Sequence, residues 1–227
     1  MSIGRKVWDR TSATRRSLPA PRRRAEARRL EILRAAGRVF RRRGFADTGM
    51  REIAAEADLS PGNLYYYFKG KHELLYFCQD RSLDQMLCAL DSARRSRQSF
   101  AERLQGVIQA HVQCLLDEVE GSAAHFEVES LPPGLRESII TKRDRYERGI
   151  RRLVSGGVRN GEFAACDPGL VTRAMLGAIN WTSRWFRADG PRPARAVARD
   201  VTAFLIRGLV AETAAADPRA AESGGRR

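Results

Sequence analysis

The chain has 227 residues, 43% of them apolar, and a formal charge of +14, which is room for one or two domains with a sizeable core. The charge is concentrated: residues 1–43 carry 15 Lys/Arg against 3 Asp/Glu, a net +12, and residues 44–227 carry 26 against 24, a net +2. No apolar run approaches the ~20 residues of a membrane span, the basic first residues lack the apolar segment of a secretory signal, and Cys78, Cys88, Cys114 and Cys166 lack the short spacings of zinc or redox sites.

In chain order, residues 1–24 read as a basic arm in which Pro19 and Pro21 break any helix. This arm is either a solvated tail or a polyanion contact. Leu30, Leu33, Ala36 and Phe40 recur at helical spacing, which predicts a helix from Ala25 to Arg43 that Gly44 stops. Thr48 is the expected N-cap of a short helix from about Met50 to Ala57. Asp58-Leu59 forms a turn, Ser60 caps the next helix, and Pro61 sits at its first position, where a missing N–H costs nothing. A long helix from Lys71 to about Arg95 directs Leu74, Leu75, Cys78, Leu83, Met86, Leu87 and Leu90 to a core. Another, from Phe100 to Glu120, does so with Leu104, Val107, Ile108, His111, Cys114 and Leu115. A short piece near Ala123–Glu129 precedes helices over about Leu135–Asn160, Pro168–Phe186 and Pro193–Ala215, and the last dozen residues read as a frayed tail. No strand pattern stands out, so the expected fold is all-α. It has a helix-turn-helix DNA-binding domain at 25–75, a ligand-binding and dimerisation bundle at 76–215, and a tail from 216.

The helix opened by Ser60-Pro61 carries the strongest functional signal. With Leu64 facing inward and about 100° per residue, Phe68 also faces in, Gly62, Asn63 and Tyr66 face out, and Tyr65 and Tyr67 take the flanks. Gly62 permits close approach to base edges, Asn63 offers a donor and an acceptor, and the tyrosines offer hydroxyls to phosphates and rings to thymine methyls or sugars. Lys71 stands where it can reach a flanking phosphate. Three successive tyrosines could also be a strand fragment, but the capped short helix before them and the helix directly after argue against it.

The run Thr48…Ile53-Ala54…Ala57-Asp58-Leu59-Ser60-x-Gly62-x-Leu64-Tyr65-Tyr66-Tyr67-Phe68…Lys71-x-Glu73-Leu74 resembles the helix-turn-helix signature of the TetR family of bacterial regulators, and Ile32-Leu33…Ala36…Phe40…Gly44-Phe45 resembles that family's first helix. Asp58 departs from the pattern, standing where Gly is more usual. The resemblance implies an all-α homodimer that regulates transcription, mostly by repression. It implies Thr48, Tyr66, Tyr67 and Lys71 as phosphate contacts, Gly62, Asn63 and Tyr65 as residues near bases, and a basic arm reaching a minor groove through Arg22, Arg23 and Arg24.

The run Leu176-Gly177-Ala178-Ile179-Asn180-Trp181-Thr182-Ser183-Arg184-Trp185-Phe186-Arg187 resembles a branch of the family that includes repressors of fatty-acid and sterol-ring degradation. It implies an acyl-CoA effector. An acyl chain needs an apolar tunnel, for which Leu87, Val107, His111 and Phe126 are candidates. The CoA head needs cations and an aromatic face, for which Trp181, Arg184 and Trp185 are candidates, with Arg143 and Arg145 as other cations. Trp181 and Trp185, one turn apart, fit core or dimer contacts equally. The resemblance also implies that the last two helices pack on their twin, which would set two reading helices on a pseudo-palindromic operator. Two rivals stand beside this reading. One is an enzyme, for which no cofactor, metal or catalytic constellation rises above chance; the other is a nonspecific DNA-compacting protein, which the neutral body disfavours. The expected compartment is the cytosol.

Overall fold

A computed structural model describes residues 20–116, 127–187 and 189–210. The expected tail, Phe126 and most of the short helix near Ala123–Glu129 lie outside the described residues, as does the arm up to residue 19. The described residues form eight helices: α1 (Ala20–Arg43), α2 (Met50–Glu56), α3 (Pro61–Tyr67), α4 (Lys71–Arg95), α5 (Phe100–Leu116), α6 (Pro133–Arg159), α7 (Pro168–Trp185) and α8 (Ala194–Arg207). The only extended pairing among them is a single bridge between Phe163 and Val210. No described helix is long and apolar enough to cross a membrane.

The chain divides into two compact units, residues 1–81 with 117–136, and residues 82–116 with 137–227. In the first unit α1 packs on α2, and α2 on α3. Its core is Ile32, Leu33, Ala36, Phe40, Ile53, Leu64, Phe68, Leu74 and Leu75, all buried. Helix α1 begins at Ala20 rather than Ala25. Pro21 falls in its first turn, where N–H groups have no intrahelical partner, so it does not break the helix there. Gly44 ends α1 at φ +80° with its N–H on Phe40 O (2.8 Å), a left-handed cap that glycine adopts without cost.

The cap of α2 is Gly49, not Thr48. Thr48 is buried and its hydroxyl donates to Gly44 O (2.7 Å), while the Glu52 carboxylate accepts from Gly49 N–H (3.1 Å). The turn after α2 is as expected. Leu59 N–H reaches Ala54 O (2.9 Å), and Asp58 takes φ 52°, the conformation for which glycine is the usual choice. Ser60 Oγ accepts from Asn63 N–H (3.2 Å) with Pro61 opening α3, as its sequence predicts.

In the second unit, α5 packs on α7 and α8, and α6 lies along the second half of α4. Lys142 and Arg145 of α6 meet Asp84 (2.6 Å) and Asp91 (3.4 Å) of α4. Three glycines of α6 receive large side chains: a Cβ on Gly149 would stand 2.0 Å from Leu90, on Gly156 2.1 Å from Phe100, and on Gly157 2.2 Å from Phe163. Asp167 caps α7, its carboxylate accepting from Gly169 N–H (2.7 Å) and Leu170 N–H (3.2 Å). Those two bonds and nearby Arg173 and Arg151 hold its pKa below the usual carboxylate value.

Candidate DNA-reading surface and effector site

Helix α3 has only seven residues and would not persist alone in water. It is fixed from beneath by Leu64 and Phe68, both fully buried. At its C-terminal end, Arg29 of α1 donates to Tyr67 O (3.1 Å), and its guanidinium lies 5.2 Å from the Phe68 ring centroid. Arg28 reaches the carbonyls of Ala57 (3.5 Å) and Asp58 (3.4 Å) at the end of α2, the negative end of the helix dipole. Arg38 and Arg42 share Glu56 (2.6 Å each), and Arg43 pairs with Glu52 (2.6 Å). The two arginines hold the Glu56 carboxyl below its usual value, Arg42 most strongly.

These braces leave one face of α3 open. Gly62 and Asn63 are exposed, Tyr66 is 80% exposed, Tyr65 46%, and Tyr67 part-buried. Tyr66 and Tyr67 stack edge to face, 5.1 Å between centroids. The outward and flanking positions expected from helical spacing are therefore those the fold presents. The other two residues expected at the DNA, Thr48 and Lys71, turn inward. Thr48 is buried, and Lys71 is part-buried with its ammonium on backbone carbonyls. Arg51 in the first turn of α2 and Lys69 just after α3 are exposed and make no ion pair among the described residues. Neither is in the set read from the sequence, although a cation beside a reading helix is a visible signal.

The second unit holds a buried polar cluster. His111 of α5 is 3% exposed, and its ring meets the ring of Tyr146 of α6 at 5.3 Å. Arg143 lies one turn before Tyr146, largely removed from solvent, and Asn180 of α7 faces His111. Burial pulls the His111 pKa down to about 3, Arg143 lowers it further, and Asn180 acts in the opposite direction. Burial, with Cys114 nearby, pushes the Tyr146 phenol up. Tyr146 Oη is buried without a hydrogen-bond partner among the described residues, which is costly in an apolar interior.

Of the residues expected to hold an effector, Leu87, Val107 and His111 are buried. Trp181 (65% exposed), Arg184 and Trp185 lie on the outer face of α7, so the fold does not bring these three together with the buried set. The inner face of α7 is Thr172, Met175, Ile179 and Thr182. Leu170 and Phe204 (69% exposed) are exposed as well, and Phe204, with Val171 and Met175, lines a groove of about 580 Å³ between α7 and α8.

Residues 32–76 match the family model for bacterial regulatory proteins of the tetR family, and residues 97–209 match a tetracyclin repressor-like C-terminal domain. The crystal structure of the TetR family regulator PfmR from Thermus thermophilus is 32% identical with TM-score 0.70, covering 79% of this chain and 99% of that one. The chain belongs to the TetR family. Another TetR-type relative is the transcriptional repressor KstR2 of Mycobacterium tuberculosis, 28% identical over 190 residues, 82% of this chain and 94% of that protein. The structure of that ketosteroid regulator gives TM-score 0.73 at 25% identity, covering 82% of this chain and 96% of that one. AibR, solved with isovaleryl coenzyme A and operator DNA, shares the fold at 23% identity and TM-score 0.64, over 79% of this chain and 98% of that one.

Proposed function

We propose that this protein is a homodimeric repressor that reads a pseudo-palindromic operator through α3 and is released from it by a small acyl thioester. The observation that carries the DNA half is the open face of α3. Gly62, Asn63, Tyr65 and Tyr66 are presented outward by a helix whose opposite side and both ends are fixed. That presentation suits a helix entering a major groove. The apolar face of Leu170, Trp181, Trp185 and Phe204 supports pairing of two copies through α7 and α8, which sets two reading helices on one side of the duplex.

The effector half is supported by the buried cluster. A neutral His111, the Tyr146 hydroxyl, the Asn180 amide and the Arg143 cation suit a molecule with an apolar body and a carbonyl or anionic end. KstR2 is named a ketosteroid regulator, which fits the apolar body, and AibR was solved with isovaleryl coenzyme A, which fits the thioester end. Helix α4 is continuous from Lys71 to Arg95, and the proposed release acts through it.

The test starts by selecting an operator from random DNA. Binding to it is then titrated with acyl-CoA thioesters and with the matching free acids. Release by thioesters alone supports the full reading. Palindromic binding unmoved by the whole panel would discard the effector class and keep the regulator. A steep salt dependence with no sequence preference would replace the regulator with a nonspecific DNA binder.

A further inference from the structure

Lys71 opens α4, yet its ammonium points back into the loop between α1 and α2. It donates to Ala46 O (2.9 Å), Phe45 O (3.1 Å) and Thr48 O (3.3 Å) and lies 4.8 Å from the centroid of the Phe45 ring. An ammonium has three N–H donors and no acceptor, so these three carbonyls use its whole capacity. The loop is otherwise held by the Thr48 hydroxyl on Gly44 O (2.7 Å) and by buried Phe45, which packs on Phe40 and on the edge of His72, 5.4 Å each. Gly49, the cap of α2, follows immediately. Two residues before Lys71, Lys69 is exposed and makes no ion pair among the described residues.

We infer that Lys71 is an internal latch, a positioning residue that fixes the start of α2 against the first turn of α4, and that Lys69 supplies the phosphate contact on this turn. Reaching a phosphate would pull the Lys71 ammonium out of its cradle and strip three loop carbonyls of a donor at once. The functional half of the inference rests on the DNA-binding reading above; the structural half rests on this geometry alone.

The chain has four lysines, Lys6, Lys69, Lys71 and Lys142, so acetylation by acetic anhydride can be followed at each by mass spectrometry. In the free full-length protein Lys69 should react fast and Lys71 slowly. On the selected operator Lys69 should become protected and Lys71 should not change. Lys69→Met should flatten the plot of log affinity against log salt by about 0.9 and leave the melting temperature unchanged. Lys71→Met should bind more weakly with the wild-type slope and melt roughly 3–8 °C lower. Should Lys71→Met fail to fold, Lys71→Arg keeps the charge without fitting the three-carbonyl cradle, and the same slope and lowered melting temperature are expected. Fast acetylation of Lys71 in the free protein, or a slope lowered by Lys71→Met with melting unchanged, would overturn the inference. If the wild type bound no DNA, the regulator reading would fail, while the acetylation rates and melting temperatures would still decide the latch.

Discussion

Replacing Tyr146 by Phe separates what the buried cluster does for the fold from what it does for the effector. The Tyr146 side chain is 3% exposed, its ring packs against His111, and its hydroxyl has no hydrogen-bond partner among the described residues. Burying an unpaired hydroxyl costs about 1–3 kcal/mol in proteins, and removing it leaves the ring and its packing in place. The effector-free variant should therefore be more stable by about 1 kcal/mol, or roughly 2–4 °C in melting temperature for a chain of this size. The same hydroxyl is the donor offered to a thioester carbonyl, and one neutral hydrogen bond is worth about 1 kcal/mol. The effector concentration for half-release from the operator should then rise about fivefold. Circular dichroism melts of the free protein and fluorescence anisotropy on labelled operator read the two effects separately. A variant less stable than wild type by about 1 kcal/mol or more would show that the hydroxyl is bonded and supports the fold, which refutes an unpaired donor waiting for an effector.

His111 predicts an acid-sensitive bundle. Its folded pKa of about 3 lies below the ordinary 6.5, so between those values the unfolded chain binds the extra proton. The contribution is fully present above about pH 6.5 and is lost at about 1.4 kcal/mol per pH unit as the pH falls toward 3. Urea melts of His111→Gln should be flatter over that window, and equal steepness would refute the assignment. Asp58→Gly relieves a left-handed residue whose side chain makes no bond among the described residues. It should add about 0.5–1 kcal/mol to stability with operator affinity unchanged, and a lower melting temperature would contradict this. Trp181→Arg on the open face of α7 should yield monomers by sedimentation while keeping the helical signal. A variant that stays dimeric would place the pairing surface elsewhere.

Where local rules govern, the sequence was legible. Ser60-Pro61, Gly44 and the Asp58 turn act within a few residues, and the apolar spacing of α4 and α5 named core residues that are indeed buried. What escaped depends on distant partners. Thr48 looks like a cap, but Gly44 O lies within reach of its hydroxyl and Gly49 takes the role. Lys71 looks like a phosphate contact until the α1–α2 loop folds over it. Trp181, Arg184 and Trp185 share a stretch with Asn180, yet the inner face of α7 is set by Thr172, Met175, Ile179 and Thr182, which turns those three outward. Arg143 is a cationic candidate by sequence, but its convergence with Tyr146 of the same helix and with Asn180 of α7 around His111 arises only in three dimensions.

Charge counting misleads in a related way. The net +12 of residues 1–43 suggests a polyanion surface. In the fold, however, Arg28 and Arg29 brace the ends of α2 and α3, and Arg38, Arg42 and Arg43 are paired with Glu56 and Glu52. Exposed pairs of this kind contribute little stability singly. Here several converge on two helices of seven residues each, which cannot hold an orientation alone. Their use is orientation: a reading helix must be held to within about 0.5 Å and 10–20° to address base edges. It follows that operator binding should be less salt-dependent than the net charge of the leading end implies. The slope should reflect the cations left exposed, Lys69 and Arg51 among them, and leave out the five arginines already committed inside the head.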